Sequence, residues 1–219
     1  EHEREKVVQS PRVRAALELL NQKTSVKTWL FQFLLQMPIE YNLKTKTKPW
    51  VTYALLALNI IIFFAYGYSE PATVWVFDHF AMQPSLVMQG EQVMPLLSHM
   101  FLHGDIIHLL GNMYFLYVVG DNLEDAIGHS RFLAVYLLCG FAAAFAQIAS
   151  DPTSAIFMVG ASGAIAGLFG MYLLWFRHAS LTFMFVIYQK KLSPMVFFAI
   201  WLLINLFGAW AAQGGVAYW

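Results

Sequence analysis

Ser162 stands in the stretch Gly160-Ala161-Ser162-Gly163, and His108 and Asn112 stand four residues apart earlier in the chain. Acyl transfer needs these residue types. A serine at a helix start sits beside unpaired backbone N–H groups and the positive end of the helix dipole, and such groups suit an oxyanion hole. His108 and Asn112 share one helix face and, with the histidine neutral, add side-chain donors. Gly160 lets the backbone bend close to a substrate, while Gly163 and Gly167 form a small-xxx-small face for tight packing. Each signal also has a plainer reading. Gly-x-x-x-Gly in an apolar helix usually serves packing alone, a lone serine bonds to its own helix, and a His–Asn pair can be interhelical glue. Their joint occurrence points to chemistry.

The elements that must hold these residues are membrane helices. The chain has 219 residues, 59% apolar and only 12% charged, with a mean hydropathy of +0.57. Soluble domains carry about 25% charged residues, so lipid is the main solvent. Crossing ~30 Å of hydrocarbon takes roughly 20 apolar residues, and only helices satisfy their own backbone there. Five segments qualify: 50–68, 106–119, 132–149, 156–176 and 192–212. The expected fold is an all-α polytopic membrane bundle.

Basic residues orient it. Nine of the thirteen Lys and Arg precede the first span, Arg131 lies between spans two and three, and Arg177, Lys190 and Lys191 lie between spans four and five. Loops 69–105, 150–155 and 213–219 have none. The basic side is expected to be the cytoplasm, with the N-terminus inside and Gly214–Trp219 outside. Residues 1–48 form a cytoplasmic or interfacial segment and 49–219 the membrane domain. In the first part, Ser10-Pro11 opens a short helix through about Asn21, and 28–37 is an apolar run too short to span. Phe183 to Tyr188 is a similar short interfacial piece. No cleavable signal peptide is expected. The single cysteine, Cys139, excludes an intrachain disulfide or a cysteine-based metal site. The zero net charge singles out no partner, and no nucleic acid, metal or cofactor is expected.

Depth ties the residues together. If the fourth helix runs from Ser162 to Phe176, Ser162 lies roughly 21 Å above the cytoplasmic boundary, and His108, counted from Val119, roughly 17 Å. A helix of about 15 residues cannot fill the bilayer, so its outer part must be a loop beside protein or a wet cavity. Ser162 should face that cavity.

These residues resemble the rhomboid family of intramembrane serine proteases, over about Pro49 to Trp219. Ser98-His99-Met100-Phe101-Leu102-His103 and His108-Leu109-Leu110-Gly111-Asn112-Met113 look like its loop-to-second-helix signature. Gly120-Asp121-Asn122-Leu123-Glu124-Asp125 with Gly128 is similar to the following cytoplasmic turn, and Gly160-Ala161-Ser162-Gly163 with Gly167 to the nucleophile motif. The resemblance implies Ser162 as nucleophile, and His108, Asn112 and the Ser162 N–H as oxyanion stabilisers. It also implies six core helices and cleavage of transmembrane substrates near their outer ends, in a multi-pass protein of the plasma (inner) membrane. Two features depart from the family. Met94-Pro95 stands where Trp-Arg is common in the first outer loop, which bears on that loop's contacts and not on the chemistry. The family's base, a histidine of the sixth helix, has no counterpart before Trp219.

A base must lie within about 3 Å of the serine hydroxyl. His178 and His129 fall on the cytoplasmic side and His2 in the N-terminal segment, while His79, His99 and His103 lie in the outer loop, where His99 and His103 are expected to brace the loop. The chain reads as a fragment or processed form whose base lies beyond Trp219 on a missing C-terminal helix, inactive as it stands. Two rival readings are a non-catalytic rhomboid-like protein that binds transmembrane segments, and a transporter using the broken fourth helix and the His108–Asn112 pair as an ion path. No inverted repeat supports the second.

Overall fold

The computed structural model describes residues 39–40, 45–91, 93–176, 181–185, 188–211 and 216–217. The short helix from Ser10 and the apolar run at 28–37 lie outside the described residues. Two compact units are present, residues 1–44 with 178–194 and residues 45–177 with 195–219.

The larger unit is mostly helical. Its elements are α1 (Trp50–Tyr66), α2 (Glu70–Phe80), α3 (Pro84–Met88), α4 (Pro95–Ser98), a 3-10 turn (His99–Phe101), α5 (Ile106–Ile127) and α6 (His129–Ser150). After them come a two-residue strand (Phe157–Met158), α7 (Ser162–Trp175), α8 (Pro194–Ala211) and a second two-residue strand (Val216–Ala217). The two short strands pair in parallel. Among the described residues, α6 alone is both long and apolar enough to cross a bilayer, whereas α1 and α7 are shorter apolar helices. Ile60, Ile61 and Phe64 of α1, and Leu138 and Phe145 of α6, are exposed, as expected of helices solvated by hydrocarbon.

The helix expected to end near Val119 continues to Ile127. Gly120 to Asp125 is therefore helical, which corrects its reading as a turn. The run holds no proline, and Glu124 and Asp125 find partners in the first turn of α1 and on the chain leading into it. Glu124 is fully buried and accepts hydrogen bonds from the Val51 N–H (2.8 Å), the Thr52 N–H (2.7 Å) and the Thr52 hydroxyl (2.7 Å). It thereby caps a helix that has no side-chain cap of its own. Asp125 accepts from the N–H groups of Lys46 and Thr47 and from the Thr47 hydroxyl. Gly120, one turn earlier, lets the two helices cross closely, because a Cβ there would lie 2.7 Å from Thr52 Cγ2. The helix stops at Gly128, whose φ of 84° is left-handed and suits glycine.

Small residues also set the seam between α6 and α7. A Cβ on Gly163 would collide with Ala143, and one on Gly167 with Cys139. Gly140 likewise makes room for Met100, which is fully buried. On the far side of α7, an aromatic cluster joins three helices. Phe115 of α5 stacks on Phe197 of α8 at 5.0 Å, and Phe169 of α7 on Trp201 of α8 at 5.9 Å.

The Phe157–Met158 strand of the larger unit is β2; in the smaller unit, β1 (Ile39–Glu40), β3 (Leu181–Phe185) and β4 (Tyr188–Leu192) form an antiparallel sheet in the order β1-β3-β4. The piece expected as a short interfacial segment between spans four and five is thus largely a hairpin, with 186–187 outside the described residues.

Candidate active site

The loop into α7 brings the sequence-picked residues together. Gly160 has a φ of 119°, a conformation that side chains strain against. Its N–H donates to the His99 carbonyl at 2.8 Å. Its missing Cβ faces inward: one placed there would lie 2.8 Å from His108 Nε2 and 3.7 Å from Asn112 Nδ2. Glycine is therefore required twice, for the turn and for the close approach. Ala161 follows, and Ser162 is the first residue of α7.

No side chain caps this helix. Its first internal bond runs from the Ile165 N–H to the Ala161 carbonyl, so the N–H groups of Ser162, Gly163 and Ala164 have no intrahelical acceptor. The Ser162 hydroxyl is buried and makes no hydrogen bond among the described residues. A buried hydroxyl at a helix start whose first N–H groups have no intrahelical acceptor, with two side-chain donors facing the residue two positions earlier, has the chemistry to accommodate a developing oxyanion.

α5 holds His108 and Asn112 in place. Asp105 caps it, accepting from the His108 N–H at 2.8 Å. The Asn112 amide donates to the His108 carbonyl at 3.1 Å, which fixes its side chain and leaves its second N–H for other work. His103 lies edge-on against the His108 ring, with centroids 5.1 Å apart.

The loop before α5 is braced by the His99 side chain, whereas His103 takes part through its backbone groups and neither of its ring nitrogens makes a hydrogen bond among the described residues. His99 Nδ1 donates to the Pro95 carbonyl at 2.9 Å, and burial lowers the His99 pKa. The Tyr66 hydroxyl bonds both the N–H and the carbonyl of His103, each at 2.8 Å. Burial, then the neighbouring His108, pushes the His103 pKa down to about 3. The Ser98 hydroxyl donates to the Phe80 carbonyl at 2.7 Å. The Met82 and Met158 backbones exchange two hydrogen bonds, of 2.7 and 3.2 Å. In place of Trp-Arg, Met94 is exposed and Pro95 opens α4. Sequence reasoning missed Tyr66 and Gly140. A glycine inside an apolar helix was the one available signal, and it pointed only to Gly140.

No described histidine hydrogen-bonds the Ser162 hydroxyl. His79 is held by the Trp75 carbonyl and His129 by Glu124, and His2 and His178 lie outside the described residues.

The Rhomboid domain family matches residues 90–219, which include His108, Asn112, Gly160 and Ser162. The chain belongs to the rhomboid family. The family includes proteases, and its domain makes the chain an integral membrane protein. It is 37% identical over 130 residues to Rhomboid protease GluP of Bacillus subtilis, covering 58% of this chain and 24% of that protein. It is 32% identical over 126 residues to RHOMBOID-like protein 5 of Arabidopsis thaliana, covering 58% of this chain and 39% of the relative. It is also similar to Rhomboid protein 1, mitochondrial, of Saccharomyces cerevisiae, 28% identical over 144 residues, 62% of this chain and 40% of that one. The chain therefore spans well under half the length of these relatives.

Proposed function

We propose that the chain carries the catalytic core of an intramembrane serine endopeptidase that cleaves transmembrane substrates near the outer membrane face, with Ser162 as nucleophile. The observation that carries this is the approach of Gly160 to His108 Nε2 and Asn112 Nδ2, two residues before a serine at an uncapped helix start. Ser162 Oγ attacks the scissile carbonyl carbon. The oxyanion that forms is held by the Ser162 N–H, His108 and Asn112. A histidine base on a segment following Trp219 takes the hydroxyl proton and passes it to the leaving amine. Water from the outer side then hydrolyses the ester and restores the serine. No metal or cofactor enters. Gly160, Gly163 and Gly167 position the nucleophile loop and seat α7 against α6. Residues 1–48 act as a cytoplasmic or interfacial segment ahead of a multi-pass domain at 49–219, in the plasma (inner) membrane.

The test is active-site labelling of the full-length protein in liposomes with a fluorophosphonate. Label should map to Ser162 and disappear in Ser162→Ala. Asn112→Ala should slow substrate cleavage by roughly 100-fold, the usual loss of one oxyanion donor. Labelling that survives Ser162→Ala would sink the assignment.

A further inference from the structure

His103 is a buried polar side chain that the proposed reaction leaves without a task. It is fully buried, and neither ring nitrogen makes a hydrogen bond among the described residues. A buried donor and a buried acceptor without partners are both costly, and a phenylalanine would fill similar space without either cost. Bracing the loop does not need the ring. The loop is held through the His103 backbone, whose N–H and carbonyl both bond the Tyr66 hydroxyl. Tyr66 is itself buried and makes edge contacts with Phe63 of α1 and Phe77 of α2, at 5.8 and 6.1 Å. The imidazole is thus carried to a fixed place. That place is against His108, with the two rings edge-on and their centroids 5.1 Å apart.

His108 has an exacting requirement. Its Nε2 and Cε1 are the atoms nearest the missing Cβ of Gly160, at 2.8 and 2.9 Å, so Nε2 is the nitrogen turned toward the nucleophile loop. A neutral imidazole carries one ring proton. On Nε2 that proton can be donated to an oxyanion. On Nδ1 it would leave a lone pair facing the developing negative charge. Which nitrogen holds the proton is set by the hydrogen bond made at the other, so a donor offered to Nδ1 decides whether His108 helps or hinders. Asp105 cannot be that donor. It accepts from the His108 backbone N–H at 2.8 Å, and a carboxylate has no proton to give. His103 is placed to supply one. Burial, then His108, pushes its pKa down to about 3, so it brings one N–H and no charge. Two imidazoles at this separation bond after a modest ring rotation or share one water.

We propose that His103 is a positioning residue for the oxyanion site: its ring N–H, directly or through one bound water, donates to His108 Nδ1 and so keeps the His108 proton on Nε2, aimed at the reacting carbonyl oxygen. This rests on the reading of His108 as an oxyanion donor.

The test uses the full-length protein in liposomes. Nitrogen-15 NMR of labelled histidine, with the His108 signals assigned by their loss in His108→Gln, should show His108 in the Nε2–H form. That readout needs no His103 variant to fold, and an Nδ1–H form overturns the proposal. His103→Phe keeps a ring of similar volume and removes the N–H. It should populate both His108 tautomers and lower kcat about 10-fold, part of the ~100-fold loss expected for a whole oxyanion donor. KM should be unchanged, because the interaction is made in the transition state. His103→Gln returns an N–H at similar reach and should restore most of the rate. An equal loss in the Phe and Gln variants, with the His108 tautomer unmoved, is what packing alone would give, and it overturns the proposal. His108→Ala separates the two levels. It should lower kcat about 100-fold, and a normal rate there removes the donor role itself, and this inference with it, whatever His103 does to the tautomer.

Discussion

The chain treats two helix N-termini in opposite ways. At the start of α1, a fully buried carboxylate from another helix takes two backbone N–H groups and a hydroxyl. At the start of α7, the cap position is Ala161, no side chain answers the first N–H groups, and the serine hydroxyl stays unbonded among the described residues. Unsatisfied buried donors cost about 1–3 kcal/mol each. One terminus is thus completed by a buried glutamate, and the other has no side-chain acceptor among the described residues. In the proposed reaction, the second terminus is the one left open to an oxyanion.

Removing the cap should give the largest effect on stability. Glu124→Ala leaves the Val51 and Thr52 donors buried without an acceptor, and should lower the unfolding free energy by about 3 kcal/mol. Fluorophosphonate labelling below the new melting temperature should be unchanged, because the carboxylate touches nothing at Ser162. Thermal melts in detergent paired with labelling rates test this. Labelling lost together with stability would mean that the two ends are not separate.

Gly160→Ala should do the reverse. The new methyl meets His108 Nε2, on a backbone that resists a side chain. Substrate cleavage should fall about 100-fold, since small misplacements at a reacting centre have effects of that size. The melting temperature should fall less than in Glu124→Ala. A variant that cleaves at the normal rate would detach Gly160 from the site.

Much of the Ser162 end was legible in the sequence because its signals are local. A glycine before a serine, a short apolar helix beginning at that serine, and a His–Asn pair at one-turn spacing each depend only on nearby residues. The structure sets α7 at Ser162–Trp175 and brings Gly160 onto His108 and Asn112. The far end of α5 was misread for the opposite reason. Gly120 to Asp125 looks like a turn when its polar residues are taken alone, and only α1, some 70 residues earlier, shows that they are a helix with its acceptors occupied. The hairpin around Phe183 was legible as apolar and not as strand, since β3 also pairs with Ile39–Glu40, some 140 residues earlier. The base for Ser162 is not found among the described residues.

Acid should weaken the loop that holds His103. His103 has its pKa pushed down to about 3 from 6.5, so folding keeps it neutral while the unfolded chain takes up a proton. Stability is therefore full above pH 6.5 and declines as pH falls toward 3, by about 2 kcal/mol at pH 5 from this group. Melts at pH 7.5 and 5 should show the loss, and His103→Gln should flatten the slope. An equal slope in that variant would assign the effect elsewhere, with His99, whose pKa is also lowered by burial, the next group to replace.

The smallest expected change is the most useful for ranking the parts of the cap. His129 Nδ1 lies 2.5 Å from Glu124, but the histidine side chain is 46% exposed, and partly exposed ion pairs contribute only about 0–1 kcal/mol. Glu124 also has three other donors, all from α1. His129→Ala should therefore lower stability by about 0.5 kcal/mol, whereas Thr52→Val, which deletes one buried donor to the same carboxylate, should lower it by about 1.5 kcal/mol. A double-mutant cycle between them should show a coupling below about 0.5 kcal/mol, the level at which neighbouring sites count as additive. If His129→Ala proves the more damaging, Glu124 is chiefly half of an ion pair, and the contrast between a capped and an uncapped helix start loses its physical basis.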